Sequence, residues 1–190
     1  MQYFYHYIFL LIWVAYFVYW KTISGNVKSA ARTEPFLSRT IRAIAIILAI
    51  LLLAIPKLPI PFLSLRFLPV GELFFWIGLL IMISGLGFSV WARSKLGRNW
   101  SQEVTIKDDH QLITDGPYAL VRHPIYTGLI FGFIGSSIAL GEIRGLISDI
   151  LVFVVLLYKL KLEDKWLMEQ FGDPYKRYCK KVAALIPFVL

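Results

Sequence analysis

Five long apolar stretches run along the chain, separated by segments rich in charged residues or proline. A helix needs about 20 mostly apolar residues to cross about 30 Å of hydrocarbon. The stretches predict five transmembrane helices, at residues 3–20, 41–55, 72–91, 124–140 and 146–158. A short turn at 141–145 joins the last two into a helical hairpin. We therefore predict an all-α integral membrane protein whose fifth helix continues as a polar helix to residue 169.

The composition is that of a membrane protein and not of a soluble domain. Hydrophobic residues make up 58% and charged residues 17% of the chain, compared with roughly 45–50% and 25% in soluble domains. The net charge of +8 would favour nucleic-acid binding in a soluble protein, but membrane proteins concentrate Lys and Arg in their cytoplasmic loops. We expect membrane lipids and no nucleic acid as partners, no metal site, and a single membrane domain over 1–190.

Basic residues are divided unequally between the two sets of predicted loops. The linker at 21–42, the segment at 92–123 and the tail from 159 onward carry 17 of the 20 Lys and Arg residues, and the remaining loops carry 3. The positive-inside rule then places the N-terminus outside and the C-terminus in the cytoplasm. The polar segments that could build an active site lie on the cytoplasmic face.

The segment before the fourth predicted helix contains polar side chains that could bind a ligand or take part in catalysis. Arg122 and His123 place a cation and a titratable ring at the N-terminus of a helix that begins at Pro124. A helix N-terminus attracts anions through its free N–H groups and its dipole. Such a site would bind a carboxylate or a phosphate, with Tyr118 or Tyr126 available to lie against a flat ring. The residues alone are equally compatible with an Arg and a His that extend to the membrane interface.

The run GPYALVRHPIYTG at 116–128 resembles the isoprenylcysteine carboxyl methyltransferase family. Further similar residues are Leu96 to Ser101, His110 to Ile113, Glu163, Asp164, Phe171, Gly172, Tyr175, Tyr178, Ile186 and Pro187. The resemblance covers roughly residues 90 to 190. It divides the chain into N-terminal spans at 1–90 and a methyltransferase core at 91–190.

The resemblance implies an integral-membrane enzyme with a cytoplasmic pocket for S-adenosylmethionine, which leaves as S-adenosylhomocysteine. Carried over by position, the cofactor-binding residues are Glu103, His110, Gln111, Leu112, Ile113, Tyr118, His123, Pro124, Ile125, Tyr126 and Glu163. Lys159 falls where the family has an arginine that faces the substrate carboxylate. We therefore expect Lys159 and Arg122 to be the catalytic residues.

The expected reaction is methyl transfer to a carboxylate of a lipophilic, isoprenylcysteine-like acceptor, either a small molecule or a prenylated substrate. A carboxylate is already ionised at pH 7, so this reaction needs no general base. Alignment and desolvation supply most of the acceleration. The acceptor needs a cation to hold it, and Lys159 provides one, although lysine cannot make the two-pronged contact of arginine.

Other functions remain open on the residues alone. A phospholipid or other amine N-methyltransferase would need a base such as Glu163 or His123 to remove an ammonium proton. An NADPH-dependent sterol-type reductase shares the region around Arg122 to Tyr126, although the Glu163-Asp164 segment argues against it. A membrane scaffold without enzymatic activity is the fourth alternative.

Overall fold

The computed structural model describes residues 2–23, 30–56, 58–97, 105–107 and 112–187. The elements in chain order are α1 (Gln2–Ile23), β1 (Ala30–Thr33), α2 (Phe36–Ala54), a 3-10 turn (Pro61–Ser64), α3 (Glu72–Leu96), β2 (Thr105–Lys107), α4 (Pro117–Leu120), α5 (Pro124–Leu140), α6 (Ile143–Phe171) and α7 (Asp173–Lys181). The described part of the chain is therefore mostly helical.

Proline and glycine set the ends of the hairpin formed by α5 and α6. Pro124 occupies the first turn of α5, where its missing N–H costs nothing and its fixed φ suits the helix. Gly141 ends α5 with φ 68°, a left-handed conformation that only glycine adopts without strain. After this turn α6 continues for 29 residues to Phe171, so its apolar and polar halves form one uninterrupted helix.

Small residues let α3 and α5 pack closely along their length. A side-chain carbon added at Gly128 would collide with the backbone of α3 at Gly85, and one added at Gly135 would collide with Gly78. Glycines at such positions allow two helix backbones to approach closely without a driving force from water. The close approach fixes the start of α5 relative to α3.

Helix α2 covers the other side of the hairpin by packing against α6. The Ser148 hydroxyl donates to the carbonyl of Ala49 at 3.0 Å. Near the end of α2, the buried Arg144 donates to the carbonyls of Leu52, at 3.2 Å, and Ile55. Because the last carbonyls of a helix have no partner within it, Arg144 caps α2 and joins it to α6.

One short pair of strands departs from the all-α prediction. Strand β1 pairs with β2 in antiparallel register, with Ala30 opposite Lys107 and Thr33 opposite Thr105. Both strands belong to segments between long helices that meet at the same end of the molecule. Strands of four and three residues are too short to leave a readable periodicity in the sequence, so the sequence analysis missed them.

Two described helices, Phe36–Ala54 and Glu72–Leu96, are long and apolar enough to cross a membrane by length and composition, and Tyr7–Ile23 and Pro124–Leu140 are shorter apolar helices. On α2 the side chains of Ile44, Ile47 and Leu48 are about half exposed. A continuous exposed apolar face of this kind is suited to lipid contact. The count of five spans stays a prediction.

Candidate active site

The candidate site lies where the start of α5 meets the polar half of α6. His123 immediately precedes α5, and α6 carries Lys159, Glu163 and Asp164 alongside it. Residues four apart lie on one face of a helix, so Lys159 and Glu163 follow each other along the same side of α6. The local sequence thus brings a ring, a cation and two carboxylates together.

Asp164 is the centre of a network of buried polar groups. Its carboxylate accepts a hydrogen bond from Arg122 at 2.9 Å and lies 2.7 Å from Nε2 of His123. The Tyr175 hydroxyl of α7 donates to the same carboxylate. Burial by itself would raise the pKa of Asp164, but the contacts with His123, Arg122 and Tyr175 hold that pKa well below its usual range. Asp164 is therefore a fixed anion that locks α5, α6 and α7 together.

Glu163 faces the other side of His123 and is more accessible. The Tyr126 hydroxyl donates to Glu163, and Nδ1 of His123 lies 3.7 Å from the same carboxylate. The side chain of Glu163 is 34% exposed, whereas that of His123 is 4% exposed. Glu163 can therefore accept further hydrogen bonds from a ligand, and His123 holds its orientation between two carboxylates.

The ring of Tyr126 is flanked by an aromatic group and a cation. The rings of His123 and Tyr126 are stacked, with centroids 5.4 Å apart and an angle of 4° between their planes. Nζ of Lys159 lies 5.2 Å from the centroid of the Tyr126 ring. A cation within about 6 Å of an aromatic face is attracted by the ring. Lys159 is therefore held at the site.

The C-terminal tail, residues 182–187, closes one side of the site through its backbone. The N–H groups of Arg122 and His123 donate to the carbonyls of Ala183 and Ala184 at 2.8 and 3.0 Å. Arg122 Nη1 donates to the Val182 carbonyl at 2.7 Å, and another tail carbonyl accepts from the Thr127 hydroxyl at 2.8 Å. The tail thus satisfies the N–H groups of Arg122 and His123, the two residues that immediately precede α5.

Tyr118 is buried, and its backbone holds α7 in place. The Tyr178 hydroxyl donates to the Tyr118 carbonyl at 2.5 Å. Burial raises the pKa of Tyr118, and the nearby charge of Glu163 raises it further. The Tyr118 hydroxyl therefore stays neutral and lies within the electrostatic reach of Glu163.

The structure brings some of the expected site residues together and places others elsewhere. His123, Tyr126, Glu163, Lys159 and Arg122 form the connected cluster described above. Pro124 is fully buried, and Ile125 packs against the apolar core. Leu112 and Ile113 are half-buried in the loop before α4. Glu103, His110 and Gln111 lie outside the described residues.

Three site residues were not among the candidates from the sequence: Asp164, Tyr175 and Tyr178. All three were noted only for their place in the family pattern. A signal for the two tyrosines was present, since they are three residues apart in a helix of otherwise polar and charged character. Aromatic side chains at this spacing on a polar helix indicate a buried face.

A cavity of about 810 Å³ lies towards the opposite end of α5. Its walls come from α1, α2, the loop before α3, α3 itself, the second half of α5 and the turn into α6, and they include Trp13, Phe75 and Phe133. Phe133 is two helical turns from Tyr126, about 10 Å at the rise of an α-helix. This cavity is therefore separate from the cytoplasmic cofactor pocket expected from the sequence, which stays a prediction.

Comparisons with known proteins support the resemblance seen in the sequence. A protein-S-isoprenylcysteine O-methyltransferase from Schizosaccharomyces pombe is 35% identical over 101 residues, which are 52% of this chain and 43% of that protein. The protein of the same name from Saccharomyces cerevisiae is 32% identical over 120 residues, covering 60% of this chain and 48% of that protein. The chain thus spans about half the length of these two relatives.

A solved structure is also similar to the chain. It is described as the eukaryotic intramembrane Ras methyltransferase, isoprenylcysteine carboxyl methyltransferase, and it matches with a TM-score of 0.57 and 26% sequence identity. The match covers 82% of this chain and 54% of that one. The family model described as phospholipid methyltransferase matches residues 73–174, just over half of the chain. The chain therefore belongs to the phospholipid methyltransferase family.

Proposed function

We propose that the protein is an integral-membrane methyltransferase that moves the methyl group of S-adenosylmethionine to a carboxylate of a lipophilic, isoprenylcysteine-like acceptor. The observation that carries this proposal is the cluster in which Tyr126 donates to Glu163 and lies between His123 and Lys159. In this cluster the partly exposed carboxylate of Glu163 and the ammonium of Lys159 both contact the side chain of Tyr126. The relatives named protein-S-isoprenylcysteine O-methyltransferase support the same reaction class.

The donor set of the site fits S-adenosylmethionine. When bound, this cofactor supplies an electrophilic methyl group on a sulfonium. The partly exposed Glu163 would accept hydrogen bonds from the ribose hydroxyls or the amino group. The resemblance adds Leu112, Ile113, Tyr118, Pro124, Ile125 and Tyr126, together with Glu103, His110 and Gln111, as further cofactor-binding residues.

Lys159 is the residue proposed to hold the acceptor carboxylate. Its position over Tyr126 places an ammonium next to the proposed cofactor site. The acceptor is ionised at neutral pH, so no side chain has to remove a proton. The protein would contribute alignment and the exclusion of water. The acceptor would be a lipophilic small molecule or a prenylated substrate.

Arg122 is proposed to act by positioning and not by touching the reacting groups. Its guanidinium donates to Asp164 and to the Val182 carbonyl, so both ends of the guanidinium are engaged. The nearby charge and hydrogen bond of Asp164 outweigh burial and raise the pKa of Arg122. Arg122 therefore fixes the tail and the start of α5, which in turn orient His123.

The proposal places the enzyme in a membrane with five spans, the N-terminus outside, and the C-terminus and active site in the cytoplasm. The exposed apolar face of α2 and the distribution of basic residues support this arrangement. The intramembrane description of the similar solved structure supports it as well. Residues 1–190 would form one membrane domain.

A phospholipid or other amine N-methyltransferase is the second candidate, because the family model carries that description. This reaction would require a base, and Glu163 or His123 would have to serve. An acceptor amine would also have to bind near Lys159, which carries the same charge. Like charges at close range oppose binding, so the carboxylate acceptor is favoured.

Cofactor binding tests the proposed function. We expect S-adenosylhomocysteine to raise the Tm of the purified protein, because a ligand that binds the native state stabilises it, and we expect NADPH to leave Tm unchanged. Glu163→Gln removes one charged acceptor, so it should weaken S-adenosylhomocysteine binding by about 1–3 kcal/mol, or about 5- to 150-fold in Kd. Calorimetric titration measures this change.

The matched control is Lys165→Ala, because Lys165 is an exposed residue on the same helix and should bind like the wild type. Transfer of labelled methyl groups to N-acetyl-S-farnesylcysteine tests the acceptor. Binding of NADPH in place of S-adenosylhomocysteine would refute the methyltransferase proposal. Turnover restricted to amines, and rising with pH, would favour the second candidate.

A further inference from the structure

The cavity at the end of the bundle opposite the candidate site plays no part in the proposed reaction. Its volume is about 810 Å³, within the range of about 300–1,000 Å³ found for sites that bind small molecules. Helix α1 borders it and packs on α5, where the rings of Trp13 and Phe133 lie 4.8 Å apart. Helix α2, which packs on α6 through Ser148, also borders the cavity.

The walls of the cavity determine what it can hold. They are mainly aliphatic and aromatic and include Leu53, Phe74 and Phe133. Cavities with such walls exclude water. A hydrocarbon chain makes favourable dispersion contacts with them, and it is flexible enough to follow an irregular shape. The surrounding bilayer is a source of such chains.

The loop before α3, residues 58–71, forms the rim of the cavity and is suited to the membrane interface. Its side chains of Ile60 and Phe62 are more than half exposed. Apolar and aromatic side chains exposed at the end of a membrane bundle lie at the level of the lipid head groups. The N–H of Phe67 donates to the carbonyl of Gly141 at 2.9 Å, which holds the loop against the turn between α5 and α6. The rim therefore lies where lipid head groups lie.

Among the described residues that line the cavity, the charged ones are Arg66, Arg144, Glu142 and Glu72. The side chain of Arg144 is 3% exposed, and its Nε donates to Glu142 at 2.7 Å. The side chain of Arg66 is 29% exposed, and its Nη1 lies 3.8 Å from Glu142, which is longer than a hydrogen bond. Arg66 can therefore donate to a phosphate, and Glu72 offers a carboxylate for an ammonium group.

We propose that the cavity binds a zwitterionic phospholipid, with one acyl chain between its walls, the phosphate at Arg66 and the ammonium group at Glu72. Arginine suits this role because its planar guanidinium matches two phosphate oxygens. An anionic head group would place a second negative charge near Glu72, which opposes binding. The bound lipid would contact both α1 and α2 and so stabilise the bundle. This site goes beyond the proposed function and does not depend on it.

The lipid site is separate from the proposed acceptor site. Arg66 lies beside Glu142, the residue that precedes α6. Lys159 is about 25 Å further along the same helix, from a rise of about 1.5 Å per residue. A packed core cluster that includes Val152 and Leu156 lies along α6 between these two positions. The phosphate of the lipid and the carboxylate of the acceptor would therefore bind at opposite ends of the molecule.

Lipid binding to the purified protein in detergent tests the inference. The probe is phosphatidylcholine, whose quaternary nitrogen and lack of a carboxylate prevent it from accepting a methyl group. Phosphatidylglycerol and diacylglycerol with the same acyl chains are the comparison ligands. Native mass spectrometry counts the lipids retained per chain, and the rise in Tm during a titration gives their apparent affinity. We expect one bound phosphatidylcholine per chain, and affinities at least about tenfold weaker for the other two lipids.

Variants of the charged rim test the head-group contacts. Arg66→Gln should weaken phosphatidylcholine binding about 10- to 100-fold, the effect of losing a hydrogen bond to a charged group. Arg66→Lys keeps the charge and should restore most of the affinity. Lys176→Gln removes an exposed cation on α7 and is the control that should bind like the wild type. Glu72→Gln should reduce the preference for phosphatidylcholine over phosphatidylglycerol.

A matched pair of variants on α2 tests the acyl-chain contacts. Leu53→Trp places a larger side chain on the cavity wall and should prevent retention of the lipid. Leu51→Trp makes the same substitution on another face of α2, where Leu51 is 45% exposed. This control should retain one phosphatidylcholine per chain.

Equal binding of phosphatidylcholine and diacylglycerol by the wild type would overturn the inference, as would unchanged phosphatidylcholine binding in both Arg66→Gln and Leu53→Trp. Displacement of phosphatidylcholine by N-acetyl-S-farnesylcysteine would assign the cavity to the acceptor and would also overturn it. If Arg66→Gln does not fold, the three lipids compared on the wild type still decide. None of these measurements uses S-adenosylhomocysteine or methyl transfer, so a failure of the proposed function would be seen separately.

Discussion

The contacts of Asp164 predict that its removal destabilises the whole site end of the molecule. Asp164→Ala would leave Arg122, His123 and Tyr175 without their shared acceptor. The side chains of Arg122 and His123 are 13% and 4% exposed, so water cannot readily replace the lost carboxylate. The penalty should therefore approach that of a broken buried ion pair.

Breaking a buried ion pair by removing one partner costs about 3–5 kcal/mol. For a chain of this size each kcal/mol lowers Tm by about 2–4 °C. We therefore expect Asp164→Ala to lower Tm by about 6–20 °C. Glu163→Gln is the matched comparison on the neighbouring residue, because its amide oxygen can still accept from Tyr126 and the site is partly exposed. It should cost less than about 1 kcal/mol.

Thermal unfolding in detergent, monitored by circular dichroism, measures both variants. The pH dependence gives a further check. The pKa of Asp164 is lowered in the folded protein, so its stabilisation is fully present above the unfolded value of about 3.9 and is lost as pH falls below it. The difference in Tm between wild type and Asp164→Asn should therefore narrow below about pH 4. A fall in Tm of under about 2 °C for Asp164→Ala would refute the reasoning.

Two further predictions concern packing and orientation. Gly128→Ala and Gly135→Ala should each lower Tm because an added carbon collides with α3, whereas Gly87→Ala should leave Tm unchanged or raise it because open space surrounds that position. Equal effects at the three glycines, measured by thermal unfolding, would contradict the close packing. Cysteines placed at the exposed positions Ser64 and Lys176, in a variant lacking the native cysteine, should react with an impermeant reagent from opposite sides of sealed vesicles. Labelling of both from one side would show that the predicted orientation is wrong.

The sequence was sufficient for features that depend on local chemistry. The start of α5 at Pro124 and its end before Gly141 follow from the backbone preferences of proline and glycine. The continuation of α6 through its polar half follows from the absence of a helix breaker after Leu146. The resemblance also placed His123 and Glu163 in one site, and their side chains do meet.

Other features depend on contacts between distant segments and could not be predicted. The tail carbonyls at 183 and 184 accept hydrogen bonds from N–H groups about 60 residues earlier. Such backbone hydrogen bonds do not depend on the type of side chain, so they cannot be predicted from the sequence. Glu34 is one acidic residue in a basic linker, so its burial against Arg42 was not apparent. The burial of Asp164 depends on where α7 folds back, which only the assembled helices determine.

The pairing between the tail and the start of α5 also determines when the candidate site can be completed during synthesis of the chain. Translation produces Arg122 and His123 well before the carbonyls at 182–184 that hold them. Until the tail carbonyls have been made and can pair with Arg122 and His123, the candidate site stays open on one side. Under the proposed function, activity would begin only after the tail docks, and a chain that stalls shortly before residue 182 would be inactive.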